Sequence, residues 1–204
     1  MSSICPTRLH MNAVAAFRPI EEPDRHIVVR ERALDDILVR SIAQYLRAGP
    51  GLILTRGTPD AIYAEIRSLF PLGCIPLLAD AIQLARQYRQ LAGTPDLRLR
   101  LERIDDDSCR CFHIDNVPLR LLCTYAGPGV QWKTADDETI HDTSEGSLIL
   151  LKGRLFPRRS DDGAVLHRSP PLSTMAPGTQ RLLLTLDHPD ACTVVMTRAP
   201  MAAV

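Results

Sequence analysis

A chain of 204 residues with 45% hydrophobic and 24% charged residues is long enough to bury a core without disulfides or a structural metal. Its 24 basic and 24 acidic residues cancel, so nothing predicts bulk attraction to nucleic acid or to an anionic membrane. The six cysteines form no CxxC, the first residues lack the basic start and apolar core of a signal peptide, and no apolar run approaches the ~18 residues of a membrane span. The expectation is a soluble, cytoplasmic protein.

In chain order, residues 1–25 mix Pro, Arg and Glu without periodicity and read as a loosely ordered lead-in. "HIVVRE" (26–31) has the make-up of a short strand. Over residues 32–47, Leu34, Ile37, Leu38, Ile42, Ala43 and Leu46 recur at helical spacing, and Gly49-Pro50 closes the run. Thr58 is placed to cap a second helix that starts at Pro59 and extends to about Phe70. A third helix covers 75–91, with Leu77, Leu78, Ala81, Ile82, Leu84, Ala85 and Tyr88 as its packing stripe.

After Gly93-Thr94-Pro95 the period changes from helical to two. "LRLRLERI" (97–104) alternates apolar and charged residues, as a half-buried strand does. "RCFHID", "LRLLCTY", "GSLILLKG", "AVLHRS", "RLLLTLD" and "CTVVMT" follow as short β-like runs divided by Gly, Pro, Asp and Ser. Such spacing predicts an antiparallel sandwich or barrel. The expected architecture is therefore α+β: one domain over 26–204, with a helical part (26–95) packed on a β-sandwich part (96–204).

The stretch "CRCFHID" concentrates chemistry. On a strand, Cys109, Cys111, His113 and Asp115 would share one face. A His-x-Asp pair alone is near chance, and a second one, His188-Pro189-Asp190, lies close to the end of the chain with no histidine after it. His113-x-Asp115 differs because His167 and then Arg181 follow, each at a short apolar run. Two histidines and a carboxylate on one face of an octahedral ion leave three positions open, the arrangement of non-haem Fe(II) oxygenases. A 2-oxo acid can occupy two of them and dioxygen the third. An arginine fork suits the distal carboxylate of such a small-molecule co-substrate.

In this order and setting, the residues resemble the iron- and 2-oxoglutarate-dependent oxygenases of the prolyl-hydroxylase type. "HIDNVPLRLLCTY", "EGSLILLKG" and "LHRSPPLSTMAPGTQR" look like that group's ligand stretch, its Gly-led strand, and its distal histidine followed by a turn and a basic residue. "FHIDNVPLRLLCTYAGPGVQW", "LLKG" and "LHRSPP" are more closely similar to the bacterial domain of unknown function 1826, over most of the chain. The resemblance implies a double-stranded β-helix (jelly roll) with Fe(II) on His113, Asp115 and His167, and 2-oxoglutarate anchored by Arg181. The expected activity is oxidative decarboxylation of 2-oxoglutarate coupled to oxidation of an unknown substrate; the alternative is a zinc-binding protein on the same β-sandwich scaffold, non-catalytic or hydrolytic.

Other residues keep two readings. Cys109 and Cys111 are expected first as core packing; the alternative is a zinc site with Cys111 as an added ligand, since thiolates favour zinc. The hydroxyls of Thr124 and Tyr125 either reach the bound oxo acid or belong to the packing of their strand. Arg120 lines the substrate entrance or pairs with the acids at 105–107, Trp132 rims the pocket or caps the core, and Arg168 stands on the substrate side. "GPG" (127–129) reads as a tight turn.

Overall fold

A computed structural model describes residues 14–191. Its nine strands are β1 (Ile27–Arg30), β2 (Leu52–Gly57), β3 (Leu97–Ile104), β4 (Leu119–Ala126), β5 (Gln131–Thr134), β6 (His141–Asp142), β7 (Leu148–Lys152), β8 (Val165–Arg168) and β9 (Arg181–Asp187). Six of them form one antiparallel sheet in the order β1-β7-β4-β9-β3-β2, and three form a second in the order β6-β5-β8. The helices are α1 (Asp36–Ala48), α2 (Pro59–Ile66) and α3 (Ile75–Ala92).

The helices form where the sequence supplies caps. Asp35 accepts a hydrogen bond from Leu38 N at the start of α1, and Thr58 accepts one from Ala61 N at the start of α2. Gly93, at φ 64°, ends α3 in the left-handed conformation. α1 begins four residues later than its apolar periodicity suggests. Arg32 is drawn away from any helix by a two-pronged pair with Asp80 and a bond to the Gly146 carbonyl.

Two apolar cores follow from the strands' alternation. In the larger, Leu77, Leu78, Ile82 and Ala85 of α3 meet Leu99, Leu101, Leu121, Leu182, Leu184 and Leu186 of the six-stranded sheet. In the smaller, on the opposite face of β4, Leu122 meets Val130, Ile149, Leu151 and Val165. β4 is therefore buried on both faces, which explains its nearly unbroken apolar run. Truncating a leucine in the larger core to alanine costs about 2–5 kcal/mol.

Several expectations are corrected here. The described end of the lead-in is not loose: Phe17 and Ile20 are each 2% exposed and belong to the larger core, Phe17 capping and Ile20 lying within a 3₁₀ turn at Arg18–Glu21. The stretch read as helical contains β2, which pairs along β3, so strands from 26–95 extend the main sheet. "CRCFHID" is not a continuous strand. Cys109 has φ 59°, and only His113 joins a sheet, through an isolated bridge to His167. "CTVVMT" (192–197) lies outside the described residues. Among the described residues, no helix is long and apolar enough to cross a membrane.

His26 links the fold to pH. It is 3% exposed, and its Nε2 stands 2.9 Å from the Asp162 carbonyl, which can only accept, so Nε2 carries the proton and the buried Nδ1 is left without a partner. Burial, aided by the positive charges of Arg159 and Lys152, lowers its pKa below the ordinary 6.5. A histidine with a depressed folded pKa takes up its proton more readily when unfolded, so its contribution to stability fades as pH falls through 6.5. Between pH 7.5 and 5.5, urea melts should accordingly show His26→Gln gaining stability relative to the wild type as pH falls. An equal slope in both would contradict this account.

Candidate metal centre

The centre starts from a backbone pair. His113 N donates to His167 O and His167 N donates to His113 O, both at 3.0 Å, so the two residues face each other across an antiparallel pair. Directly opposite side chains on such a pair share a face. The imidazoles accordingly stand side by side, with ring centroids 4.6 Å apart. Asp115 follows His113 by two residues. The 115–118 segment is fastened by Arg154 N to Asp115 O, Gly153 N to Pro118 O and Leu155 N to Val117 O. That close approach requires the glycine of "LLKG", because a Cβ at Gly153 would collide with the Val117 carbonyl.

Asp115 Oδ1 lies 3.4 Å from His113 Nε2, and Asp115 Oδ2 lies 3.1 Å from His167 Nε2. Among the described residues, His113, Asp115 and His167 are the group whose donor atoms all fall within 4.8 Å of one another. Neighbouring ligands about 2.1 Å from an octahedral ion stand roughly 3 Å apart, so these separations suit one ion. His113 Nδ1 is 2.8 Å from the Cys111 carbonyl, which fixes its proton there and turns the bare Nε2 toward the centre. Asp115 Oδ2 is buried and accepts no hydrogen bond, despite the nearness of His167. A buried carboxylate oxygen without a donor, 3.1 Å from an imidazole nitrogen, fits a cation.

Charge around the centre is arranged in one row of the larger sheet. Burial alone would raise the pKa of Asp115, but the adjacent imidazoles of His113 and His167 and the charge of Arg120 outweigh it and hold it well below the usual carboxylate range. The Asp115 carboxylate beside it in turn holds His113 above its ordinary value, against the opposing effect of burial. Arg120 Nη1 donates to Asp115 Oδ1, while its Nε and Nη2 donate to Asp187 Oδ2 at 3.1 and 2.7 Å. Arg98 grips the same Asp187 from the other side with two bonds of 2.8 Å.

A cavity of about 470 Å³ opens beside the histidines, within the usual range for small-molecule sites. Its wall includes Arg98, Arg100, Arg120, Leu122, Arg168 and Ser169. Other cavities, of about 560, 720, 490 and 320 Å³, lie elsewhere; the histidine–aspartate group lines none of these.

Arg181 stands behind Ser169. It is 0% exposed and donates to Pro128 O at 2.6 Å, Ser169 Oγ at 2.7 Å and Thr124 Oγ1 at 3.3 Å. All three acceptors are neutral, and among the described residues no carboxylate pairs with it. Burial pulls its pKa down to about 10. Gly127, at φ 80°, packs so tightly on Gln180 that a Cβ would collide with the Gln180 carbonyl, and this turn delivers the Pro128 carbonyl to Arg181.

The other expected residues divide. Thr124 faces the site, but Tyr125 does not: its hydroxyl donates to Asp80 at 2.6 Å, on the helix side of the sheet. The alternation of a strand separates these neighbours. Cys109 and Cys111 are exposed rather than packed in the core, because the chain turns at Cys109, and Cys111 is not part of the ligand group. Arg120 does line the cavity but pairs with Asp115 and Asp187, not with the acids at 105–107. Arg168 lines the cavity, with Nε on Gln131 Oε1 and its guanidinium 4.3 Å over Phe112. Trp132 stacks on His141 at 4.2 Å and packs against the smaller core, away from the cavity wall. Reading the sequence missed Arg98, Ser169 and Asp187; only the alternating charges of "LRLRLERI" hinted that β3 has a polar inner face.

Residues 12–187 match the family described as protein of unknown function (DUF1826). The chain belongs to that family. This DUF1826 chain has no match among curated proteins. Among solved structures it is similar to a Pseudomonas putida prolyl-4-hydroxylase, at 18% identity and TM-score 0.49 over 85% of this chain and 96% of that one. It is also similar to JOX2 in complex with 2OG, Fe and JA, at 12% identity and TM-score 0.51 over 91% of this chain and 74% of that one. The second likeness shows that the DUF1826 chain shares the JOX2 fold.

The position of Tyr125 gives a test. Tyr125→Phe removes one bond to Asp80, so urea unfolding should report a loss of about 1–3 kcal/mol. Unchanged stability would contradict this placement of the Tyr125 hydroxyl.

Proposed function

We propose that this protein is a metal-dependent oxygenase of the Fe(II)/2-oxoglutarate type, built on a double-stranded β-helix (jelly roll) with α1–α3 packed against its larger sheet as part of one domain. His113 Nε2, Asp115 and His167 Nε2 would hold the ion, and Arg181 would anchor the distal carboxylate of 2-oxoglutarate. The observation that carries this reading is a pair of unmet demands in one sandwich. A buried carboxylate oxygen beside the His167 imidazole accepts no hydrogen bond, and a fully buried guanidinium has only neutral partners.

When bound, Fe(II) with 2-oxoglutarate and dioxygen supplies the oxidising chemistry. The chain's residues do the rest. Arg181 exchanges neutral acceptors for a carboxylate, a pairing that gains strength in a water-poor site. Ser169 and Thr124, already hydrogen-bonded to Arg181, are placed to follow the anion with their hydroxyls. His113 is kept in the correct tautomer by the Cys111 carbonyl. The cavity beside Arg98, Arg100 and Leu122 is the proposed place for the oxidised substrate. With Cys111 exposed and apart from the ligand group, a closed four-ligand zinc centre has less support than a three-ligand site.

Anaerobic addition of Fe(II) and then 2-oxoglutarate to metal-free protein should produce a visible charge-transfer band. His113→Ala should abolish it. Arg181→Met should need about 10–100-fold more co-substrate, the worth of a lost charge-assisted hydrogen-bond pair. Absence of the band in folded wild-type protein would contradict the proposal.

A further inference from the structure

We infer that Arg120 is a positioning residue for the metal site: held rigid by Asp187 and Arg98, it fixes the ligand carboxylate of Asp115. The inference rests on the metal reading above and extends it to residues that touch no ion.

The geometry leaves Arg120 little freedom. Arg98 and Arg120 each sit directly opposite Asp187 in the strand register, one from β3 and one from β4, so the three side chains form a single cross-strand row. Asp187 is 0% exposed and Arg98 is 4% exposed. Arg98 places Nε on one Asp187 oxygen and Nη2 on the other, which sets the plane of that carboxylate. Arg120 then spends Nε and Nη2 on Asp187 Oδ2. A guanidinium is planar, so fixing two of its nitrogens fixes the direction of the third. That third nitrogen, Nη1, meets Asp115 Oδ1. Asp115 is thereby aimed from the floor of the sheet, with Oδ2 left free of any donor beside His167.

This arrangement has a cost that argues against coincidence. A guanidinium beside a metal ligand repels a cation, so electrostatics alone would make the site bind metal less well. Its presence is accounted for if holding the carboxylate in place outweighs that repulsion. Partners that orient metal ligands in this way typically contribute 10–100-fold to affinity. The two accounts predict opposite signs for the loss of Arg120: orientation predicts weaker binding, repulsion alone predicts tighter binding.

The test is Mn(II) affinity by isothermal titration at fixed pH and ionic strength, with the visible spectrum of the Co(II)-loaded protein as a second readout. Arg120→Met should bind Mn(II) 10–100-fold more weakly than wild type and should shift the Co(II) bands at saturating metal. Arg120→Lys keeps the charge but lacks the fork, so it should also lose affinity; it serves as well if the methionine variant does not fold. Unchanged or tighter binding by either folded variant overturns the inference. Failure of wild-type protein to bind Mn(II) at all would instead overturn the metal reading beneath it.

Discussion

Two backbone hydrogen bonds of 3.0 Å, exchanged between His113 and His167, join a loop segment to β8 of the small sheet. The site depends on this pair, because it alone brings imidazoles from distant parts of the chain to one face. Asp115 is carried along two residues later. The turn at 153–155 then clamps the segment from the other side, through the contact that only Gly153 permits. The reciprocal pair is anchored in turn by the smaller core, where Val165 of β8 packs on Leu122, Ile149 and Leu151. A site built this way is as rigid as the sandwich that holds it.

The interior between the sheets is not uniform. Its β4–β7 side is closed by aliphatic packing, while its β3 side presents arginines and carboxylates to the cavity. Arg98, Asp187 and Arg120 form a buried row in which each charge has a partner, and removing one member would strand the others at a cost of about 3–5 kcal/mol. Arg181 breaks the pattern because its buried charge meets only neutral oxygens. Charge balance thus separates residues that hold the fold from the residue proposed to take a ligand carboxylate.

Much of this was legible in the sequence, for local reasons. Thr58-Pro59 and Gly93 mark helix ends through chemistry that operates within a few residues. His113, Asp115 and His167 could be singled out because a metal site asks for those residue types, and the fold does bring the three together. Long-range pairing could not be read. Arg98 and Asp187 are 89 residues apart, and nothing near either one announces the other. Tyr125 and Thr124 looked equivalent until the strand's faces were assigned, since a neighbouring pair always splits between them. β2 was missed because a short apolar run between two helices carries no decisive period. The alternating types in "CRCFHID" imitated a strand, but the chain turns at Cys109 and leaves both cysteines at the surface.

The most direct measurement is a crystal structure of the protein with Mn(II) and 2-oxoglutarate. The account predicts one ion held by Nε2 of His113, Nε2 of His167 and a single Asp115 oxygen. It also predicts chelation of that ion by the oxo acid, whose far carboxylate lies on Arg181 within reach of Ser169 and Thr124. An ion bound elsewhere, a fourth protein ligand from Cys111 closing the site, or Arg181 left on its three neutral acceptors would contradict it.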